Sequence, residues 1–188
     1  MAIRIITDSA SDITQEEART WGIQVLPLRT IFGEEEFLDG VTIDHQTFFQ
    51  RLIESDVLPT TSQLSPFQYE GPFQEAVKAG DEVVCITLSS KLSGCYQSAA
   101  EGLPVVLVDS LSVTVGQRIL VELALQLRDQ GLSAQEIGAV LEQEKPHIRL
   151  IALLDTLEYL KKGGRISPAV ALAGSLLSIK PVIAVENG

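Results

Sequence analysis

The chain has few cysteines and few basic residues, and each shortage excludes a class of protein. Its 188 residues include two cysteines, Cys85 and Cys95, both in or beside apolar segments. We therefore expect no disulfide framework and a reducing, cytoplasmic location. With 14 Lys and Arg against 25 Asp and Glu, the formal net charge is -11. Nucleic acid is then disfavoured as a partner, because neutralising its phosphates requires clustered cations.

Long apolar runs are also missing. No stretch reaches the roughly 20 residues that span a bilayer, so we expect no stable membrane insertion. The first residues, MAIRIITD, begin directly as a strand and lack the basic and apolar order of a signal peptide. Hydrophobic residues nevertheless make up 45% of the sequence, which is enough for a sizeable core.

Motifs for nucleotide, metal and hydrolase sites are missing too. The sequence has no Gly-x-x-x-x-Gly-Lys-Ser/Thr loop and no Gly-x-Gly-x-x-Gly turn, so neither ATP nor a dinucleotide is expected. Its histidines, His45 and His147, have no second histidine or cysteine at the spacing of a metal site. Serine hydrolase chemistry is disfavoured by the lack of a Gly-x-Ser-x-Gly elbow and of a placed base. We therefore expect no metal and no cofactor.

Strand and helix signals alternate along the chain. Apolar runs predict strands at 3–7, 23–28, 83–88, 104–108, 149–154 and 180–185. Between them, helix signals predict helices at 14–22, 44–55, 65–80, 113–130, 133–145, 157–162 and 167–177, a helix that begins near 93, a hairpin around 33 and a polar loop at 60–64. Capping boxes are predicted for Thr14 with Glu17 and for Ser133 with Glu136. The alternation predicts an α/β fold with a largely parallel sheet and helices on both faces.

We expect two parts in this chain. Residues 1–150 form an N-terminal α/β domain, and residues 151–188 begin a second α/β domain that is incomplete. The last residues, Glu186-Asn187-Gly188, are a turn signal of the kind that joins two hairpin strands, and no second strand follows. The sequence therefore predicts a chain that is cut short, and the alternative is a frayed C-terminus.

The most informative segment is SKLSGCYQSA, residues 90–99, where a buried strand passes into a helix. The first backbone N–H groups of a helix have no internal partner and can hold an anion. Ser93 can add a hydroxyl donor, and Gly94 allows a ligand to approach the backbone. We predict a pocket for a carboxylate or phosphate head group. The alternative is that Ser93 is only a helix N-cap.

Polar clusters follow three of the predicted strands. They are Thr7-Asp8-Ser9, the segment 89–94 and Asp109-Ser110. Ligands of open α/β sheets bind at the carboxyl ends of the strands, so these clusters are expected to meet at one edge. Thr61 and Ser62 lie on a predicted loop that could cover that edge.

Two further motifs carry open alternatives. Asp8 follows a strand as the nucleophile of a phosphotransfer site does, but Asp12 lies four residues on rather than two, so a turn and helix cap is favoured. Gly163-Gly164-Arg165 either places a guanidinium where it can bind an oxyanion or ends a helix with a solvated arginine.

Six segments in order resemble one known family. They are Thr7-Asp8-Ser9, Thr61-Ser62-Gln63-Leu64-Ser65-Pro66, residues 92–99, Asp109-Ser110, residues 157–167 and Ile179-Lys180-Pro181. Together they resemble the DegV family, the fatty-acid-binding proteins of bacteria. The resemblance covers nearly the whole chain, although members of that family usually continue well beyond the Ile-Lys-Pro segment.

The resemblance implies a two-domain lipid carrier that is not itself a catalyst. It implies one buried long-chain, palmitate-like fatty acid, with the carboxylate at Thr61 and Ser93 and with Ser62 and Gly94 in support. Some members present the acid to a separate ATP-dependent fatty acid kinase subunit, and there Arg165 would lie beside the carboxylate. Two alternatives stay open: a phosphotransferase or hydrolase that uses Asp8 and Asp109, and a small-anion sensor without an acyl tunnel.

Overall fold

A computed structural model describes residues 2–55, 57–101, 105–167 and 180–188. The strands are β1 (Ile3–Asp8), β2 (Gln24–Leu26), β3 (Arg29–Phe32), β4 (Glu35–Leu38), β5 (Thr60–Ser62), β6 (Glu82–Thr87), β7 (Val106–Asp109), β8 (Leu150–Leu153) and β9 (Val182–Val185). The helices are α1 (Gln15–Trp21), α2 (His45–Glu54), α3 (Pro66–Lys78), α4 (Cys95–Ala100), α5 (Val115–Asp129), α6 (Ala134–Glu144) and α7 (Glu158–Lys162). None of these helices is long and apolar enough to cross a bilayer.

A four-stranded parallel sheet in the order β2-β1-β6-β7 forms the centre of the fold. Its side chains alternate between two cores, because successive strand residues point to opposite faces. One core joins Ile5, Val84, Ile86 and Val108 to buried residues of α1, α5 and α6. The other joins Ile6, Val83 and Cys85 to buried residues of α3 and α4. The predicted α/β fold with helices on both faces is confirmed.

Local capping signals place the helices on this sheet. Thr14 accepts a hydrogen bond from the Glu17 N–H and returns one to its carboxylate, as the predicted capping box requires. Arg118 of α5 reaches the same carboxylate at 2.8 Å. The guanidinium and the Thr14 N–H together lower the pKa of Glu17 to about 2. The carboxylate that caps α1 therefore also pairs with α5, a helix about a hundred residues later in the chain.

A second, smaller sheet contains one element that the sequence did not reveal. β3 and β4 form the predicted hairpin, with Gly33 at a φ of +61°. β5 pairs antiparallel with the other edge of β3, with Thr61 opposite Thr30. The prediction of a loop at 60–64 is therefore wrong for its first three residues. Thr60–Ser62 has no apolar alternation, and its strand conformation comes from pairing with β3.

The last described segment forms a sheet of its own. β8 and β9 pair antiparallel, with Leu150 opposite Val185, and neither joins the parallel sheet. Gly164 has a φ of +74° after α7, so the predicted break at Gly163-Gly164 is confirmed. Most of the helix predicted at 167–177 lies outside the described residues.

Candidate functional site

The strand order places a crevice between the carboxyl ends of β1 and β6. The chain passes from β1 to β2 on one side and from β6 to β7 on the other, so β1 and β6 flank the topological switch point of the sheet. Ligands of open α/β sheets bind at such a point. The Leu88 N–H donates to Asp8 Oδ2 at 2.9 Å across it. The polar ends of these two strands therefore meet, as predicted.

The loop that follows β6 is also tied to the end of β7. Asp109 Oδ1 accepts hydrogen bonds from the Ser90 N–H at 3.1 Å and the Leu111 N–H at 3.0 Å. The Ser89 N–H donates to the Ser112 carbonyl at 2.8 Å. All three predicted clusters thus lie at one edge of the sheet, and their side chains hold the loop at 88–94 in place.

Backbone strain is concentrated at the same edge. Leu111 and Thr114 have φ values of +50° and +51°, in a region that non-glycine residues and especially β-branched ones avoid. The Thr114 N–H donates to the Ala10 carbonyl at 2.7 Å and ties the exit of β7 to the exit of β1. Strained backbone of this kind persists where the surroundings over-determine it, often beside a functional site.

Asp8 is fully buried, and both oxygens of its carboxylate accept hydrogen bonds. Besides Leu88, the Ala10 N–H donates to its Oδ1 at 3.2 Å and Gln117 Nε2 at 3.1 Å. Burial raises the pKa of Asp8 to about 6, and the hydrogen bonds oppose that rise. The predicted turn-capping role is confirmed by the bond from Ala10.

Sequence reasoning missed Gln117, which lies completely buried on α5. Its Nε2 also donates to Thr7 Oγ1 at 3.0 Å, while its Oε1 is buried without a partner among the described residues. The signal that would have found it is a single amide side chain on the apolar face of a helix. Backbone and amide donors bind both oxygens of Asp8, and two backbone N–H groups bind Oδ1 of Asp109, so both carboxylates have a structural role at this edge.

Ser93 does not cap α4. Gly94 is the N-cap residue, while the Ser93 N–H donates to the Ser89 carbonyl at 3.1 Å and so belongs to the preceding turn. The N-cap interpretation of Ser93 is therefore wrong. Its hydroxyl instead donates to Cys95 Sγ at 3.4 Å, a weak acceptor. The hydroxyl can turn toward a stronger acceptor at little cost.

The Thr61-Ser62 segment reaches α4 through its next residue, Gln63. Thr61 is exposed and Ser62 half-buried on β5, and Gln63 Nε2 donates to Ser98 Oγ at 3.3 Å. The Gln63 amide also lies directly against Gly94. The structure thus places the two arms of the predicted anion site, the Thr61-Ser62 segment and the Ser93-Gly94 segment, next to each other. Gln63, to which the sequence assigned no role, links them.

Arg165 extends to the same loop from the end of α7. Its Nε donates to the Leu92 carbonyl at 3.3 Å and its Nη1 to the Gly163 carbonyl at 2.6 Å. The side chain is exposed. The guanidinium therefore lies one residue from Ser93, beside the candidate site.

Apolar side chains surround these polar groups. A half-buried apolar residue follows each strand of the parallel sheet at this edge: Ala10, Leu28, Leu92 and Val113. They pack on the buried cluster that contains Leu64 and Cys95. The edge therefore combines hydroxyl donors with an apolar wall, which suits an amphiphilic ligand.

A cleft of about 790 Å³ lies at the opposite, amino edge of the sheet. Arg4 and Arg128 line it, but Arg4 is paired with Asp81 and Arg128 donates to the Trp21 and Gly22 carbonyls. Both arginines of this cleft are therefore already paired within the protein.

Comparison with known proteins decides the family. The family described as "Uncharacterised protein, DegV family" matches residues 2–188. The chain belongs to the DegV family. A DegV domain-containing protein of Caldanaerobacter subterraneus is 36% identical over 192 residues, which cover 99% of this chain and 68% of that relative.

Solved DegV structures share the fold. A DegV family protein from Thermus thermophilus, described for its fatty acid binding, is 33% identical with a TM-score of 0.86, covering 100% of this chain and 69% of that one. A stearic-acid-binding protein from Eubacterium ventriosum is 30% identical with a TM-score of 0.90, covering 100% and 68%. The resemblance seen in the sequence motifs is confirmed.

Proposed function

We propose that this DegV chain binds one long-chain, palmitate-like fatty acid at the carboxyl edge of its parallel sheet. The proposal is carried by the similarity of the whole chain to DegV proteins described as fatty-acid-binding, at TM-scores of 0.86 and 0.90. It is supported by the neighbouring hydroxyl donors and apolar side chains of this edge. The protein acts as a carrier that presents the acid rather than as a catalyst.

The carboxylate is held by the hydroxyls of Thr61 and Ser93, with Ser62 and Gly94 in support. Hydrogen bonds to an ionised acceptor are about twice as strong as neutral ones, so the Ser93 hydroxyl would exchange its weak thiol acceptor for a better one. The tail lies along the apolar wall of Ala10, Leu28, Leu92 and Val113. Each buried methylene contributes about 0.8 kcal/mol, so the tail supplies most of the affinity and the hydroxyls fix its direction.

Mass spectrometry of lipid extracted from the denatured, purified protein tests this directly. We expect one fatty acid per chain on the wild type and a lower occupancy on Ser93→Ala, because that variant loses one carboxylate donor. The substitution removes only a weak contact with Cys95, so thermal stability should hardly change. Absence of lipid on the wild type would contradict the carrier function, and unchanged occupancy in the variant would remove Ser93 from the site.

A separate ATP-dependent fatty acid kinase is the partner that we propose for the bound acid. Arg165 is the contact for it, since its exposed guanidinium lies beside the Ser93 loop without belonging to the proposed carboxylate ligands. Such a guanidinium can stabilise developing phosphoryl charge or bind an acidic group of the partner.

The variant Arg165→Ala distinguishes a role in palmitate binding from a role in phosphorylation by the kinase. We expect palmitate affinity within about twofold of wild type and phosphorylation by the kinase slower by about tenfold or more, since a charged hydrogen bond contributes about 1.5–3 kcal/mol. Lys162→Ala is the matched control, because it removes a neighbouring cation that pairs with Glu158. Loss of palmitate binding in Arg165→Ala would show instead that the arginine holds the carboxylate.

We propose that residues 1–150 form one domain and that residues 151–188 belong to a second. The separate β8–β9 sheet supports a boundary near residue 150. We also propose a reducing, cytoplasmic location, which agrees with the two free, buried thiols of Cys85 and Cys95.

A further inference from the structure

We infer that Gln63 positions the two arms of the carboxylate site against each other, and that residue 94 is glycine to admit the Gln63 amide. This inference rests on the proposed function, because the arms are the segments that carry Thr61 and Ser93. It adds to that function the residue that sets the geometry of the head-group site.

The space available beside residue 94, and not its backbone conformation, explains why this residue is a glycine. Gly94 has a φ of -81°, which any residue can adopt. By contrast, Gly22 and Gly33 have φ values above +60°, where glycine is favoured for its backbone freedom. A Cβ at position 94 would lie 2.7 Å from Gln63 Cδ and 2.8 Å from its Nε2. The missing side chain at 94 therefore makes room for one particular amide.

The Gln63 amide spans the first turn of α4. It lies against Gly94 at one end and donates from Nε2 to Ser98 Oγ at the other. Ser98 is only 4% exposed, and its N–H donates to the Gly94 carbonyl at 3.0 Å. The amide of Gln63, an exposed residue, is therefore bound to a buried side chain on the first turn of α4.

The Gln63 contact adds a side-chain anchor to a short strand. β5 has three residues and, within the described part of the chain, pairs with β3 alone, through Thr30 and its neighbours. Directly after it, Gln63 binds α4 and Leu64 is buried in the core beneath. Without the amide, β5 keeps its pairing with β3, and Leu64 keeps its contacts with Cys95, but nothing then fixes how the end of β5 is oriented against the first turn of α4. The Thr61 and Ser93 hydroxyls then no longer converge on one carboxylate, while the apolar wall is unaffected.

The test compares an acid with its neutral analogue. Dissociation constants for palmitate and 1-hexadecanol are measured for wild type, Gln63→Ala, Gly94→Ala and the double variant. We expect each single variant to lose about tenfold or more of its preference for the acid, with hexadecanol affinity within about twofold. The three atoms nearest to the Cβ added by Gly94→Ala all belong to the flexible end of Gln63, so we expect this variant to displace the amide and keep the fold. The double variant should be no worse than either single one, because both remove the same contact.

Gln50→Ala is the control, since Gln50 is exposed on α2 and bonds only Glu54 along its own helix. Hydrogen exchange tests the inference without any ligand. The backbone amides of residues 60–62 should exchange faster in both single variants and at the wild-type rate in the control. Effects that multiply in the double variant, equal losses for acid and alcohol, or unchanged exchange would each overturn the inference. Wild-type protein that binds neither ligand would overturn the proposed function, whatever the exchange data show.

Discussion

Lengthening a saturated fatty acid from ten to sixteen carbons is expected to tighten binding by about a thousandfold or more. The wall of Ala10, Leu28, Leu92 and Val113 gives the tail an apolar surface that continues into the buried core. At about 0.8 kcal/mol per methylene, each added carbon tightens binding by roughly fourfold. Competition of acids of increasing length against a fluorescent fatty acid measures the gradient.

Leu92→Asp should flatten this gradient, because a carboxylate in the wall cannot lie against a methylene chain without losing water. Val77→Asp is the matched control, since Val77 is 47% exposed near the end of α3, away from the carboxyl edge. An affinity that is independent of chain length in the wild type would favour the small-anion sensor over the lipid carrier. An equal loss in both variants would mean that added negative charge, and not the wall, is responsible.

Between pH 4 and pH 7, wild-type protein is expected to lose about 2 kcal/mol of unfolding free energy relative to Asp8→Asn. The pKa of Asp8 is about 6 in the folded protein, because burial disfavours its charge, and 3.8 is its ordinary value. The folded state therefore binds the proton more tightly than the unfolded state does. Stability from this group is fully present below pH 3.8 and is lost as the pH rises through 6.

Denaturant titrations of both proteins across this pH range measure the difference. The titratable groups near Asp8 are Tyr69, Cys85 and Cys95, and burial raises the pKa of each, so they stay neutral throughout. Glu17→Gln is the informative contrast: the pKa of Glu17 is lowered to about 2, so its contribution is lost as the pH falls. If the difference in unfolding free energy between wild type and Asp8→Asn stays constant with pH, Asp8 is not a buried carboxyl with a raised pKa.

Local signals in the sequence predicted local structure well. The Thr14 and Ser133 capping boxes and the Gly33 hairpin are confirmed, because their contacts lie within a few residues. The edge of the sheet where the polar clusters meet was also predictable, since it follows from strand order alone. β5 was missed because its conformation comes from pairing with β3, about thirty residues earlier.

Two amide side chains show why the detail of the site was not predictable. Gln117 meets Asp8 across 109 residues of chain, and Gln63 meets Ser98 across 35. Neither contact leaves a periodic or spaced pattern in the sequence. Whether Ser93 caps α4 was not predictable for a related reason: its N–H bonds the Ser89 carbonyl in the preceding turn, so Gly94 is the N-cap residue, one position later than a Ser93 cap would give.

The two buried thiols give this protein a natural pair of reporters. Cys85 lies in the middle of the parallel sheet, whereas Cys95 lies at the start of α4, directly under Ser93. A thiol reacts only when it is exposed and ionised, so modification of Cys85 requires the sheet to open, while modification of Cys95 requires only that the site loosen. The ratio of the two rates measures how far the carboxylate site fluctuates independently of the fold that supports it.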